Sequence, residues 1–398
     1  MLTRTARQSR ILFVDHSSSL DEAGRSLLDI ALGFRGRGAV ALFEDGPLAA
    51  ALVSHNVAVI PVYAGSMLQR FARTSSARGL PALLGALRGA FELARVARAF
   101  GVLYANSPSA FLASAAAGFF ARRPVAWHLR QLLDDGRTSA WTVRILVAVA
   151  NARASLVVVS SQAIAAAFIA AGGRQALVRV VHDAVDSAQF DRIGAGARTE
   201  MRARLGIDER AYVVGTFTHL HPLNGQDVLL DALEMVPEVH ALVVGSACSG
   251  ADSAYLRSLH DRASRPSLAP RVHLLGEHDE IPRLIVACDA IVHVPLMPER
   301  GGRPLVQALL GRRPLIASDV GGAGDFVEDG ITAVLVPPGD AVRLAAAIND
   351  LRGHPVRGDE LAFAGAADAR RRFSHEAMIA GVTRAMDETL GANAPPLA

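Results

Sequence analysis

AIVHVPLMPERGGRPLVQALLGRRPLIASDVGGAGDFVEDGITAVLVPPGD, residues 290–340, carries the clearest local signal in the chain. Ile291 to Val294 form a short apolar run that enters a Pro-rich turn and a Gly pair. Leu305, Ala308, Leu309 and Leu310 then recur at helical spacing, so the pattern is strand, loop and buried helix. Gly311 stops the helix, 314–317 supply the next strand, and Asp319 with Gly321-Gly322 sit in the loop beyond it. Two strand-to-helix loops thus open on one sheet edge, and the carboxyl ends of strands are where open parallel sheets hold ligands. Glu299 lies in the first loop, where Gly301 and Gly302 let backbone N–H groups approach an anion beside a helix N-terminus.

The same alternation of apolar runs with helix-like stretches extends outward in both directions. Runs at 11–14, 39–43, 57–62, 102–106, 124–130, 156–160 and 178–181 precede a polar, Arg-rich stretch at 191–206 that reads as one linker helix. Runs at 212–217, 240–244 and 272–275 follow it. Strands alternating with helices imply parallel βαβ units, hence an α/β fold. A chain of 398 residues is too long for one ordinary core and predicts two domains.

At residues 290–340 the sequence resembles the retaining nucleotide-sugar glycosyltransferases of family 4, the group 1 glycosyl transferases. Glu299, Gly302, Pro304, Asp319, Gly321, Gly322 and the ending from Asp329 to Asp340 carry the likeness. The resemblance implies the GT-B fold, two Rossmann-like parallel-sheet domains facing each other across a cleft. It divides the chain into an acceptor domain, 1–187, a donor domain, 188–373, and a last helix with tail, 374–398, the helix crossing back to the first domain. It implies transfer of a sugar from a nucleoside diphosphate to an acceptor with retained configuration, in which the leaving phosphate takes the acceptor proton. Positioning and phosphate stabilisation then carry the catalysis. No Asp-x-Asp occurs, and neither metal nor cofactor is expected.

Residue by residue, the resemblance makes Glu299 the partner of the sugar hydroxyls and Gln307 that of the ribose, Gln standing where the family has Glu. Glu277 and His278 follow the strand at 272–275, where the family holds the base. His128 matches the family's histidine near the transfer centre, with Arg130 two residues on along the same strand face. In the loop 218–225, Gly225 keeps its place, but His219 and Asn224 stand at the positions of an Arg and a Lys that neutralise the diphosphate. Arg300 and Arg303 flank the Gly pair and are the candidates to replace those cations. Ser17, Ser18 and Ser19 end the first strand, as acceptor or phosphate ligands or as ordinary capping residues. Asp21 and Glu22 then occupy the family's Gly-Gly and would repel a diphosphate there, while Asp183 and Ala184 depart from its interdomain Asn-Gly.

All 41 basic residues are arginine, which excludes Schiff-base lysines and Walker-type phosphate lysines. Residues 1–190 hold 20 Arg against 11 acids and residues 191–398 hold 21 against 27, so a basic half precedes an acidic one. Residues 66–100 contain six arginines against Glu92, with Leu83, Leu84, Leu87, Phe91, Leu93 and Ala94 on one helical face. Such a stripe either meets an anionic membrane surface or packs on its own sheet with the arginines solvated. Cys248 and Cys288 indicate neither a disulfide framework nor a metal cluster, and no apolar run reaches membrane-spanning length. A cytoplasmic enzyme is expected, with a small-molecule nucleotide-sugar donor, an unidentified acceptor and no nucleic acid, in bacterial cell-envelope or secondary-metabolite biosynthesis. Because the departures fall on donor-handling positions, either the donor sugar is an unusual one or, as the alternative, the protein is a noncatalytic sugar- or partner-binding relative. A dehydrogenase is disfavoured, since no G-x-G-x-x-G follows the first strand.

Overall fold

β1 (Ile11–Asp15) is buried at every position. Its alternating side chains feed two cores, with Leu12 and Val14 on one face of its sheet and Ile11 and Phe13 on the other. The computed structural model describes residues 10–62, 80–133, 138–247, 250–298 and 302–390. It divides the chain into two units, Met1–Ala184 with His375–Ala398, and Val185–Ser374. Each is an α/β layer structure built on one parallel sheet.

In the first unit, β2 (Gly38–Leu42), β3 (Ala58–Pro61), β4 (Val102–Ala105), β5 (Val125–Leu129), β6 (Ala154–Val159) and β7 (Val178–Val180) join β1 in one parallel sheet of order β3-β2-β1-β4-β5-β6-β7. One face is covered by helices Leu80–Ala97, Pro108–Ala121, Ala140–Arg153 and Gln162–Ala170, the other by Glu22–Gly33, Pro47–Ser54 and His375–Leu390. The last helix belongs to this unit through Met378, Val382 and Met386, and Ile379 packs where Gly33 leaves room.

The second unit repeats the plan. β8 (Tyr212–Phe217), β9 (Val239–Val244), β10 (Val272–Gly276), β11 (Ala290–His293), β12 (Leu315–Ser318) and β13 (Val334–Val336) run parallel in the order β10-β9-β8-β11-β12-β13. In both sheets the order reverses beside the first strand, between β1 and β4 and between β8 and β11. Connections leave these neighbours to opposite faces, opening a crevice at their carboxyl ends.

Several local expectations change. The linker helix expected at 191–206 is confined to Ala197–Leu205, preceded by a separate short helix, Ala188–Asp191, because Gly194 and Gly196 interrupt the helical run. An 18-residue helix, Pro355–Arg372, lies between the helices Ala341–Gly353 and His375–Leu390 and packs Leu361, Ala362 and Ala366. Its small residues hide the apolar stripe from a pattern search. Asp289 stands immediately before β11. The helix Ile281–Ala287 stops before it, and Asp289 accepts from Arg198, from the buried Arg202 and from Val213 N, at 2.8, 2.8 and 2.7 Å. Phe91 leaves the inward stripe of its helix, 53% exposed, while Leu93 and Ala94 pack inward. The free Cys288 is buried, its thiol pushed up to about 12, foremost by that burial. Cys248 lies outside the described residues.

Candidate functional site

The carboxyl ends of β1, β4 and β5 bring together a polar network that local patterns do not announce. Asp15, last in β1, accepts from Asn106 Nδ2 at 2.6 Å and from Ser107 Oγ at 2.8 Å. Both partners follow β4, across the topological switch. Asn106 Oδ1 accepts from Arg130 Nε at 3.3 Å, and Arg130 also forms an ion pair with Asp183, which accepts from Ser26 Oγ at 2.6 Å. Arg130 Nη2 reaches back 2.9 Å to Nδ1 of His128, and Tyr104 Oη lies 2.7 Å from the same nitrogen.

These partners decide the state of His128. A guanidinium only donates, so Nδ1 must accept and the proton of the neutral ring resides on Nε2. Burial, and then the Arg130 charge, hold the imidazole well below its usual range, so it stays neutral. Its Nε2 is buried and has no hydrogen-bond partner among the described residues. Burial pushes the Asp183 carboxyl up, but Arg130, His128 and Ser26 outweigh it and hold Asp183 below the ordinary carboxylate value. Asp15 is likewise held low: hydrogen bonds from His16, Asn106 and Ser107 overcome its burial.

The three serines divide differently. Ser18 is spent on structure, because its Oγ accepts from Ala49 N at 3.0 Å and its carbonyl from Leu48 N at 2.8 Å, tying down the helix Pro47–Ser54. Ser19 Oγ donates to Asp21 at 2.9 Å, and Ser17 to Ser19 at 3.2 Å. Asp21 itself caps the helix Glu22–Gly33 by accepting from Gly24 N at 2.9 Å.

In the second unit the expected donor positions come from loops that touch one another. Gly225 has φ +73°, and a Cβ there would lie 2.0 Å from Val294 O, so the loop after β8 presses directly against the chain leaving β11. Leu296 N donates to Leu223 O at 2.9 Å across the same seam. His219 is exposed, while its carbonyl accepts from Asn224 Nδ2 at 2.7 Å and from Gln226 Nε2 at 2.9 Å. The Asn224 amide therefore braces its own loop. Gly245 N donates to Gly276 O at 2.8 Å, joining the loop after β9 to the end of β10, beyond which Glu277 is exposed and His278 half-buried. Gly302 begins the helix Arg303–Leu310 at φ +64°, and Phe326 fills the space a Cβ would take. Arg303 and Gln307 are half-buried on that helix, one turn apart. Glu299, Arg300 and Gly301 lie outside the described residues. A depression of about 920 Å³, lined by Val327, Ile331, Thr332, Asp368 and Arg371 among others, includes none of these positions.

Of this polar network, sequence reading named His128 and Arg130 and did not name Tyr104, Asn106, Asp15 or Ser26. The available signal was a polar residue directly after an apolar strand, at Asp15 and again at Asn106. Asp183 was visible only as a departure from the family pattern.

Comparisons with known proteins bear on both clusters. Residues 208–354 match the family model of the glycosyl transferases group 1. A D-inositol 3-phosphate glycosyltransferase of Mycolicibacterium gilvum is 36% identical over 161 residues, which are 40% of this chain and 35% of the relative. The chain spans less than half the length of the curated relatives it matches. The crystal structure of Anabaena HepE in complex with UDP is 33% identical with a TM-score of 0.83, covering 95% of this chain and 100% of HepE. The HepE complex with UDP-glucose is also 33% identical, with a TM-score of 0.79 over 95% of this chain and 99% of HepE. The matched domain and this end-to-end likeness show that the chain belongs to the GT-B glycosyltransferases.

Proposed function

We propose that this protein transfers a sugar from a UDP-sugar to an acceptor, with retained anomeric configuration and without a metal ion. The observation that carries the reading is the seam in the second unit, where the loops after β8 and β11 meet within the stretch matched by the family model. The HepE complexes with UDP and UDP-glucose support the choice of nucleotide. In this reading backbone N–H groups at Gly302 and the Arg303 side chain hold the diphosphate, because the positive end of a helix and a nearby guanidinium stabilise the charge that develops on the leaving phosphate. Gln307 binds the ribose, where an amide oxygen accepts in place of a carboxylate. Glu299 accepts from the sugar hydroxyls.

The first unit supplies His128, whose neutral ring offers Nε2–H as a donor to a substrate hydroxyl. Arg130 sets that tautomer and Asp183 holds Arg130. The reaction needs no protein nucleophile: the leaving phosphate oxygen takes the acceptor proton as the acceptor attacks the same face of the sugar. The test is thermal unfolding with UDP, GDP and dTDP, followed by turnover of UDP-glucose with release of UDP. UDP at a hundredfold excess over its dissociation constant stabilises by about 2.7 kcal/mol. Stabilisation by none of the three nucleotides overturns the reading, and stabilisation without turnover favours a noncatalytic binding protein.

A further inference from the structure

The helices Leu80–Ala97, Pro108–Ala121 and Ala140–Arg153 cover one face of the first unit's sheet, with Leu93, Phe111 and Leu146 turned inward. Their outer sides carry large apolar side chains that the core does not use. Phe91 is 53% exposed, Phe119 60% and Trp141 70%. These aromatics are organised. Phe91 stacks on Phe120 with centroids 4.6 Å apart, Phe120 meets Phe119 edge-on at 5.5 Å, and the Arg153 guanidinium lies 5.0 Å over the Phe119 ring. Ile145, 38% exposed, stands one turn beyond Trp141.

Around them Arg88, Arg95, Arg98, Arg122, Arg144 and Arg153 are exposed, and Glu92 is the one acid in the sequence of the three helices. On the first helix Arg88, Phe91 and Arg95 follow one stripe at helical spacing, with Arg98 just past the helix end, so charge and aromatic surface are interleaved. A second copy of this chain does not suit the face, since a two-fold contact would set arginines against arginines. Phe and Trp with Arg do suit the headgroup layer of a bilayer, where rings seat at the interface and guanidinium forks pair with phosphates.

We propose that this face docks the protein onto the surface of an anionic lipid bilayer. Contact is superficial: no helix among the described residues is long and apolar enough to cross a membrane. The proposal stands independently of the transfer reaction.

The test is co-sedimentation of the full chain with phosphatidylcholine vesicles, with and without phosphatidylglycerol, at low and high salt. Binding is expected only to the anionic vesicles and is expected to weaken with salt. Phe119→Ser with Trp141→Ser should release the protein, and Arg122→Gln with Arg144→Gln should weaken binding about fivefold per charge removed. Arg25→Gln with Arg384→Gln lowers net charge equally on helices covering the opposite face of the sheet, and should leave binding unchanged. All six positions are exposed, and melting temperatures verify the folding of each variant. No binding to anionic vesicles, equal binding to neutral ones, or an equal loss in the Arg25 and Arg384 pair overturns the proposal.

Discussion

Arg130 Nη2 lies 2.9 Å from Nδ1 of His128, so a permanent cation donates to a buried imidazole and fixes which nitrogen carries the proton. Arg130 is in turn balanced by Asp183, and neither side chain is more than 13% exposed. Arg130→Met leaves the Asp183 carboxylate without its guanidinium partner, with the Ser26 hydroxyl still donating to it. It should destabilise the protein by about 3 kcal/mol, measured by urea unfolding. Adding Asp183→Leu should recover part of that loss. Strict additivity of the two changes counts against the pair as a coupled unit.

The buried imidazole also fixes a direction for acid sensitivity. His128 titrates in the folded protein well below its usual value, foremost through burial. Between the folded value and the unfolded one of about 6.5, the unfolded chain binds the proton and the folded chain does not. Stability is therefore present above that window and is lost as pH falls into it. One proton sets a limit of about 1.4 kcal/mol per pH unit. Unfolding from pH 8 to 5 should show a shallower acid loss for His128→Asn than for the native chain, and equal slopes refute it. At lower pH the depressed Asp15 and Asp183 add loss of the same sign as they protonate.

Gly225 sits at φ +73° with Val294 O where its Cβ would be. A methyl group there meets backbone in a conformation that already disfavours side chains. Gly225→Ala should cost about 2–4 kcal/mol and lower the melting temperature, with loss of nucleotide stabilisation. The same change at Gly206, at φ +68° but with open space around it, should cost less.

Asp289 holds the Arg202 guanidinium, which is 1% exposed and donates also to Ala287, Glu209 and Ala211 carbonyls. Asp289→Ala leaves a buried cation without its carboxylate and should cost about 3–5 kcal/mol. Asp289→Asn keeps an acceptor and should cost less. Chemical denaturation of the two variants decides, and equal losses argue against a charge effect.

Under the proposed function Arg303 replaces the cations absent at His219 and Asn224. Arg303→Ala should weaken UDP binding about tenfold or more, the worth of a charge-assisted hydrogen bond. The melting temperature without ligand should barely move, since Arg303 is half-buried at a helix start. Calorimetric titration with UDP giving an unchanged dissociation constant removes Arg303 from the phosphate site.

Periodicity alone determined the α/β architecture, the strand-loop-helix at 290–310 and the position of His128 at the end of β5, because apolar spacing is a local property that burial enforces at each residue. The resemblance in sequence also singled out His219, Asn224 and Gln307 as expected departures from the family's donor pattern. Only the tertiary structure decided that β1 and β4 are neighbours, and hence that Asp15 meets Asn106 and Ser107 91 and 92 residues away. It alone showed Asp183 paired with Arg130 and Phe91 turned outward onto Phe120. Strand order and helix rotation arise from contacts between segments distant in sequence, and no single window of residues contains both partners.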